Sequence, residues 1–384
     1  MWRNLASNAL SLMIVAVVVL IAVVVWGQRQ FTGSGPLTEA AYFEVPRGAS
    51  LRRVSDALAE RGIVSSATLF RIGTEYSDKA GDLKFGNYEI PAGASMADVM
   101  TILTEGGGSS FRYLANFVIG INSAETRLME RAPGFDEIET LAVIRPGEPV
   151  PPVYSELVAA RTPMQHRVTV VPGVTSWQVA ESLKQVDFLD GEIASLPDEG
   201  ALSPDSYDVS RGDSRQALIE TMASRQADTL AAAWENRDAG IPIKTPEEAL
   251  ILASIIEKET GKEEERRLVS SVFTNRLNEG MRLQTDPTVI YGITNGQGVL
   301  GRGLRQSELR KVTPYNTYVI QGLPPTPIAN PGKAAIEAAV SPDSTDFIFF
   351  VADGTGGHAF AATLAEHNQN VAKWRQIERD RQSN

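Results

Sequence analysis

The 384 residues carry 36 Lys and Arg against 47 Asp and Glu, a formal net charge of −11, with 43% hydrophobic and 22% charged residues. That is an ordinary globular composition, long enough for two domains or more. No basic surplus is available to neutralise phosphates, which argues against a nucleic-acid partner, and the lack of cysteine removes disulfides and thiolate metal sites.

Leu10 to Trp26 is a run of seventeen residues interrupted only by Ser11, and Leu5 to Gly27 extends it toward the roughly twenty that cross a bilayer core. The expected layout is a cytoplasmic end over 1–8 and a transmembrane helix over 9–27. Trp2 and Trp26 bracket the run. Its length exceeds the core of a signal peptide, and no small-x-small site precedes Gln28-Arg29-Gln30. Arg3 on one side and Arg29 on the other give only a slight positive-inside bias. Residues 28–41, with Gly33-Ser34-Gly35-Pro36, read as a flexible tether.

An internal repeat follows. Phe43-Glu44-Val45-Pro46-Arg47-Gly48-Ala49-Ser50-Leu51 recurs 45 residues later as Tyr88-Glu89-Ile90-Pro91-Ala92-Gly93-Ala94-Ser95-Met96, and more loosely as Val170 to Trp177. Each copy predicts a short strand, a Pro/Gly turn and a hydroxyl that caps a helix. Ser95 with Asp98 and Thr175 with Gln178 have capping-box spacing. The first two copies read as one small module over 42–105. Residues 106–167 open on Gly106-Gly107-Gly108-Ser109-Ser110 and pass through Pro146 to Pro152, an inserted, partly extended segment to which no chemistry is assigned. The remainder, 168–384, forms the larger domain and includes a polar-faced helix over Gln216 to Asn236.

A central helix starts after Thr245, with Pro246 at the first helical position and Glu248 placed to complete a capping box; Gly261 is expected to close it in the left-handed conformation. Between Ala249 and Ile256 only Ser254 is polar, so this helix runs through a core and delivers Glu257 and Glu259 to a boundary. Apolar neighbours and the negative helix end both raise a carboxyl pKa, which is what a general acid needs. The competing reading makes both glutamates solvated partners of Lys258 or Arg266, and position on the helical wheel does not choose between them. A second amphipathic helix carries Val269, Val272, Phe273 and Leu277 and ends at Gly280. Met281 to Gly292 then reads as a polar cleft wall, Asp286-Pro287 favouring extended or turn geometry. Near the end, Phe347 to Ala352 and His358 to Ala361 flank Asp353-Gly354-Thr355-Gly356-Gly357 as a hairpin. Only His166, His358 and His367 are present, with no HExxH spacing, so no metal and no cofactor is expected.

Six ordered blocks together resemble the endolytic murein transglycosylases, the YceG-like or MltG family. They are Ala253-Ser254-Ile255-Ile256-Glu257-Lys258-Glu259, Phe273 to Leu277, Met281 to Gly292, Tyr315 to Tyr318, Gly322 to Pro325, and Phe350 to Gly354 with Gly357-His358. Glu199 to Tyr207 resembles a further family segment, with Ala201 and Ser203 where aromatics are usual. The resemblance implies an α+β chain with a single N-terminal transmembrane helix, a small LysM-like βα subdomain and a larger α+β catalytic domain. It maps the catalytic glutamate onto Glu257, which would protonate the MurNAc–GlcNAc bridging oxygen and then accept the proton of the sugar's own C6 hydroxyl, leaving a 1,6-anhydro end. Gln284, Thr285, Asp286, Thr288, Tyr315, Asn316 and His358 are the candidate substrate-binding residues. Each could equally be a buried hydrogen-bond support, and for Asn316 and Thr317 support is the stronger reading. The same resemblance implies peptidoglycan glycan strands as substrate, strand termination as role, and synthases and elongation or division machinery as partners. It places the protein in the inner membrane with its body in the periplasm. Two rivals stay open: a two-carboxylate hydrolase pairing the acid with Asp286 or Glu259, and a non-catalytic wall-binding scaffold for synthases.

Overall fold

The computed structural model describes residues 2–106, 110–135 and 137–382. Of the positions read above, the side chains of Trp2, Arg3, Leu5 and Ser11 and all of Gly107, Gly108 and Ser109 lie outside the described residues. In chain order the elements are α1 (Trp2–Thr32), β1 (Ala41–Val45), α2 (Leu51–Glu60), α3 (Ala67–Tyr76), β2 (Gly86–Ile90), α4 (Met96–Glu105), β3 (Tyr113–Ile119), β4 (Ala124–Arg131), β5 (Ile138–Ile144), α5 (Pro152–Ala159), β6 (Met164–Val170), α6 (Ser176–Leu183), β7 (Leu189–Asp190), β8 (Ser206–Val209), β9 (Asp213–Ser214) and α7 (Arg215–Glu235). They continue with α8 (Pro246–Glu259), a 3-10 turn over Glu263–Glu265, α9 (Arg266–Asn278), α10 (Asp286–Thr294), α11 (Gln306–Arg310), α12 (Lys333–Val340), β10 (Phe349–Ala352), β11 (His358–Ala361) and α13 (Leu364–Gln382). The chain is thus α+β, with one N-terminal helix, Leu12–Thr32 at mean hydropathy 2.3, long and apolar enough to cross a membrane. Five strands form a sheet in the order β5-β4-β3-β6-β8.

Two compact units are present, residues 1–115, 127–143 and 150–165 in the first and 116–126, 144–149 and 166–384 in the second. In the first, the two copies of the repeat pair with each other: β1 and β2 are antiparallel, with Phe43 opposite Tyr88, the equivalent positions of the two copies. The β1-α2-α3-β2 unit closes over Phe43, Leu58, Phe70, Ile90 and Leu103. Ser95 caps α4 as its spacing predicts, the Asp98 amide donating to Ser95 Oγ at 3.1 Å and the Asp98 carboxylate accepting the Ser95 amide at 2.9 Å. Ser95→Ala is expected to cost about 1 kcal/mol and Ser95→Gly only a few tenths, read as displacements of the urea midpoint. The expected tether differs from the structure: α1 continues to Thr32, and the Gly35 and Gly93 amides then donate to Gly93 and Leu37 carbonyls at 3.1 and 2.8 Å. A backbone ladder therefore holds much of 28–41 against the Pro91–Ala94 turn. The segment 106–167, expected to be partly extended, supplies β3, β4, β5 and α5.

The second unit has two cores. One gathers Phe117, Val168, Val170, Leu183, Phe188 and Leu202 beneath the sheet; β6 and β8 pair antiparallel with Val168 opposite Tyr207. The other surrounds α8, burying Leu252, Ile255, Ile256, Phe273 and Ile336. Buried Ser254 is satisfied there, donating to the Ile251 carbonyl and accepting the Ile328 amide. Thr245 caps α8 by accepting the Glu248 amide at 3.2 Å, but Glu248 reaches back to the Lys244 amide rather than its own cap, so the capping box is half formed. Gly261 does not close the helix. Thr260 does, in extended geometry at φ −137°, because its hydroxyl is drawn to Glu265 at 3.3 Å. Asp286-Pro287 starts α10 rather than a loop, since proline at the first helical turn has no amide to lose. The C-terminal hairpin forms as expected, with Phe349 to Ala352 paired to Ala361 to His358.

Candidate active site

The last turn of α8 sends its two glutamates into different surroundings. Glu257 is half-buried, and its Oε2 accepts the Gly332 amide at 3.0 Å. Burial raises its carboxyl above the ordinary range, against the Gly332 hydrogen bond and the charges of Arg266 and Lys258. Lys258 lies down on Gly173, a residue at φ +85°, donating to its carbonyl at 3.1 Å. Burial pulls the Lys258 ammonium down, opposed by Glu257 and by Glu199. Glu199 accepts the Ser176 amide at 2.9 Å and the Tyr291 hydroxyl at 3.2 Å, and burial raises its carboxyl too. Glu257 thus belongs to a charge array that ties α8 to the 172–175 turn and the start of α12.

Glu259 faces a different group. Its Oε1 accepts the Thr285 hydroxyl. Burial raises its carboxyl, opposed by the Thr285 bond and by His358 and Arg276 and reinforced by the Asp286 charge. With Thr355, Gly357, His358, Trp374 and Arg381 it lines a cleft of about 500 Å³. His358 Nδ1 lies 2.8 Å from Glu265 Oε2. The buried guanidinium of Arg276 donates to the Ile348 carbonyl at 2.7 Å and to that of Leu283, bridging α9 to the β10 approach and to the Thr285 segment. Asp286 is exposed and accepts the Tyr318 hydroxyl at 2.7 Å.

Of the seven cleft residues expected from the sequence, Thr285, Asp286 and His358 gather about Glu259, and none of the seven bonds to Glu257. Gln284 is exposed beside them, in the left-handed region at φ +49°. Thr285, Thr288 and Asn316 are sealed from solvent, at 2%, 0% and 0% exposure. Thr288 donates to the Thr285 carbonyl, and Asn316 Nδ2 spans the Glu308, Leu309 and Lys311 carbonyls, closing α11. These are internal supports, as weighed for Asn316, and Thr288 joins them because its hydroxyl is spent inside the fold. Tyr315 stands apart, its ring 5.0 Å from Tyr291 and its hydroxyl 2.8 Å from that of Thr326. Two members escaped sequence reasoning. Glu265 sits in the run Glu263-Glu264-Glu265, which looks like any solvated acidic turn, whereas Arg276 falls with Val269, Val272 and Phe273 on the apolar stripe of α9, a spacing that signals a buried cation without naming its partners. Only the tertiary fold, through Gly357-His358 and the 345–348 strand approach, reveals them. Among the described residues no cluster of His, Asp or Glu is arranged to hold a metal ion.

The YceG-like family profile matches residues 43–133 and 143–373. The chain belongs to that family. The match runs through most of the 106–167 segment, leaving 134–142 outside it. Among relatives, the endolytic murein transglycosylase of Streptococcus pneumoniae serotype 2 is 28% identical over 338 residues, covering 86% of this chain and 57% of that protein. The chain therefore spans little more than half the length of the pneumococcal relative. The endolytic murein transglycosylase of Bacillus subtilis is 28% identical over 323 residues, covering 75% of this chain and 84% of the relative. A crystal structure of a YceG-like protein from Listeria monocytogenes is 24% identical with a TM-score of 0.45, covering 86% of this chain and 98% of that one.

Proposed function

We propose that this YceG-like chain is an endolytic lytic transglycosylase of peptidoglycan and that its general acid is Glu259, in place of the Glu257 to which the sequence resemblance points. The observation that carries the choice is the company each carboxyl keeps. Glu259 shares an open cleft with His358 and Thr355, while Glu257 is engaged by Gly332. Burial raises the Glu259 carboxyl above the ordinary range, which favours the protonated form that can pass its proton to the oxygen linking MurNAc to GlcNAc. The sugar's C6 hydroxyl then attacks C1, giving a 1,6-anhydro end without a water nucleophile, proximity standing in for the second protein carboxylate. Thr355 in the cleft wall, with exposed Gln284 and Asp286 on either side of Thr285, would be the hydrogen-bonding partners for the glycan.

The names of the relatives support the activity, and the N-terminal apolar helix supports a membrane anchor; in this reading the membrane is the inner one and the body lies in the periplasm, where nascent glycan strands would be cut and their elongation ended. The paired β-α-α-β unit over 41–90 supports a LysM-like module that holds glycan, and cell-wall synthases would be the partners of such an enzyme. The alternative is a wall-binding scaffold without chemistry, which the small side chains of Ala201 and Ser203 favour by offering no stacking face. Incubating the chain with isolated sacculi separates the two: an enzyme releases soluble muropeptides, whereas a scaffold sediments with the wall and releases none.

Glu257→Gln tests the assignment from the other side. It is expected to keep turnover within about threefold of wild type, the Gln amide oxygen still accepting the Gly332 amide. A carboxyl raised in the fold makes stability fall as pH rises through its folded pKa. The fall of melting temperature from pH 4.5 upward is therefore expected to be shallower in Glu257→Gln than in wild type, and a steeper fall would contradict the burial argument.

A further inference from the structure

We propose that His358, oriented by Glu265, is the base that takes the proton of the attacking C6 hydroxyl, so that acid and base duties fall to two side chains rather than to one carboxyl. The inference rests on Glu259 being the acid. Glu265 is 8% exposed, and both its oxygens are committed to His358: Oε2 to the ring Nδ1 at 2.8 Å and Oε1 to the backbone amide at 3.0 Å. Thr260 donates to the same Oε2 at 3.3 Å. Gly357 makes this approach possible, since a Cβ there would be driven into the Glu265 carboxylate.

Burial pushes the Glu265 carboxyl up, but the hydrogen bonds from the His358 ring and amide outweigh it and hold the group below the usual range. The ionised carboxylate can only accept, so Nδ1 carries the hydrogen and Nε2 of the neutral ring is left with a lone pair. Among the described residues Nε2 has no hydrogen-bond partner, and His358 lines the cleft that holds Glu259. The ring plane is steadied by Phe350, edge to face at 5.1 Å. An imidazole whose far nitrogen is held by a buried carboxylate is the arrangement that serves as a general base elsewhere in enzymology.

Glu259 is poorly placed to do both jobs at once, because its Oε1 is taken by Thr285 and one oxygen remains to serve the leaving group. In the proposed step the C1–O4 bond breaks as Glu259 gives its proton to O4. The C1–O6 bond forms as the O6 proton passes to His358 Nε2. The imidazolium then returns a proton to the Glu259 carboxylate, and no water is consumed. The charged groups around the ring are Glu259 from α8, Lys262 and Glu265 about the 3-10 turn, Asp353 from the hairpin turn, Arg381 from α13 and Arg276, which acts on Glu259 from α9.

The test is muropeptide release from sacculi by the full chain across pH. Wild type is expected to give a bell-shaped profile, and His358→Ala to lose about 10²–10⁴-fold of its rate, keep only a decline with rising pH, and recover activity when imidazole is added. Glu265→Gln keeps an acceptor for Nδ1 but removes the charge that steadies the imidazolium. The limb abolished by His358→Ala should therefore move to lower pH in Glu265→Gln. A His358→Ala profile of wild-type shape, or a uniform loss with no imidazole recovery and an unmoved limb in Glu265→Gln, overturns the base assignment. If Glu259→Gln is inactive while His358→Ala is not impaired, only the base assignment fails; if Glu259→Gln is active, the acid reading itself fails.

Discussion

Glu259→Gln is expected to lower muropeptide release from isolated sacculi by about 10²–10⁴-fold, the range over which a positioned acid contributes to bond cleavage. Glutamine matches the carboxyl in volume and can accept the Thr285 hydroxyl bond through its amide oxygen, so the fold has little reason to respond. It cannot deliver a proton of useful acidity to a bridging oxygen. The surroundings also lose nothing essential: Arg276 retains the Ile348 and Leu283 carbonyls as partners, and His358 retains Glu265. Circular dichroism should match wild type and the urea midpoint should not fall, since Gln removes the cost of ionising a buried carboxyl, while turnover collapses. Thr285→Val should fall between the two, because it strips a hydrogen bond from the ionised acid and leaves that form less stabilised.

Asn330→Ala is expected to cost about 3 kcal/mol, as much as truncating a large buried apolar side chain. Asn330 is wholly buried. Its Oδ1 accepts the Leu202 amide at 2.9 Å and the Ser176 hydroxyl at 3.3 Å, and its Nδ2 donates to the Val174 carbonyl at 2.9 Å. The backbone on both sides adds the Gly173 amide to the Asn330 carbonyl and the Asn330 amide to the Val174 carbonyl, each at 2.9 Å. One side chain therefore joins the 172–176 turn, the Glu199–Leu202 segment and the approach to α12. Alanine leaves the Leu202 amide buried without an acceptor, at about 1–3 kcal/mol, and adds a small polar-lined void. The urea midpoint reads the effect, and a loss below about 1 kcal/mol would show that water or a shifted backbone replaces the amide.

Local chemistry was legible in the sequence wherever it is completed within a few residues. Ser95 with Asp98, Thr175 with Gln178 and Thr245 with Pro246 mark helix starts that the structure contains. The Asp353–Gly357 turn gave away its hairpin, and the repeat marked 42–105 as one small module, though not that its two strands pair with each other. What needed tertiary partners was hidden. Gly261 looked like a helix stop until Thr260 was seen reaching Glu265. Asp286-Pro287 looked like a loop, though proline is equally at home in a first helical turn. Most of all, Glu257 and Glu259 are two residues apart on one helix end, and nothing on the wheel separates them. Their difference lies in Gly332 and Gly173 on one side and Thr285, His358 and Arg276 on the other, residues up to about a hundred positions away in the chain.

The most direct test of the account is the mass of the glycan ends that the wild-type chain releases from sacculi. Intramolecular attack by the C6 hydroxyl with Glu259 as acid predicts anhydro ends, one water lighter than reducing ends, and their loss in Glu259→Gln but not in Glu257→Gln. Reducing ends from wild type, or anhydro ends that persist in Glu259→Gln and vanish in Glu257→Gln, would contradict it.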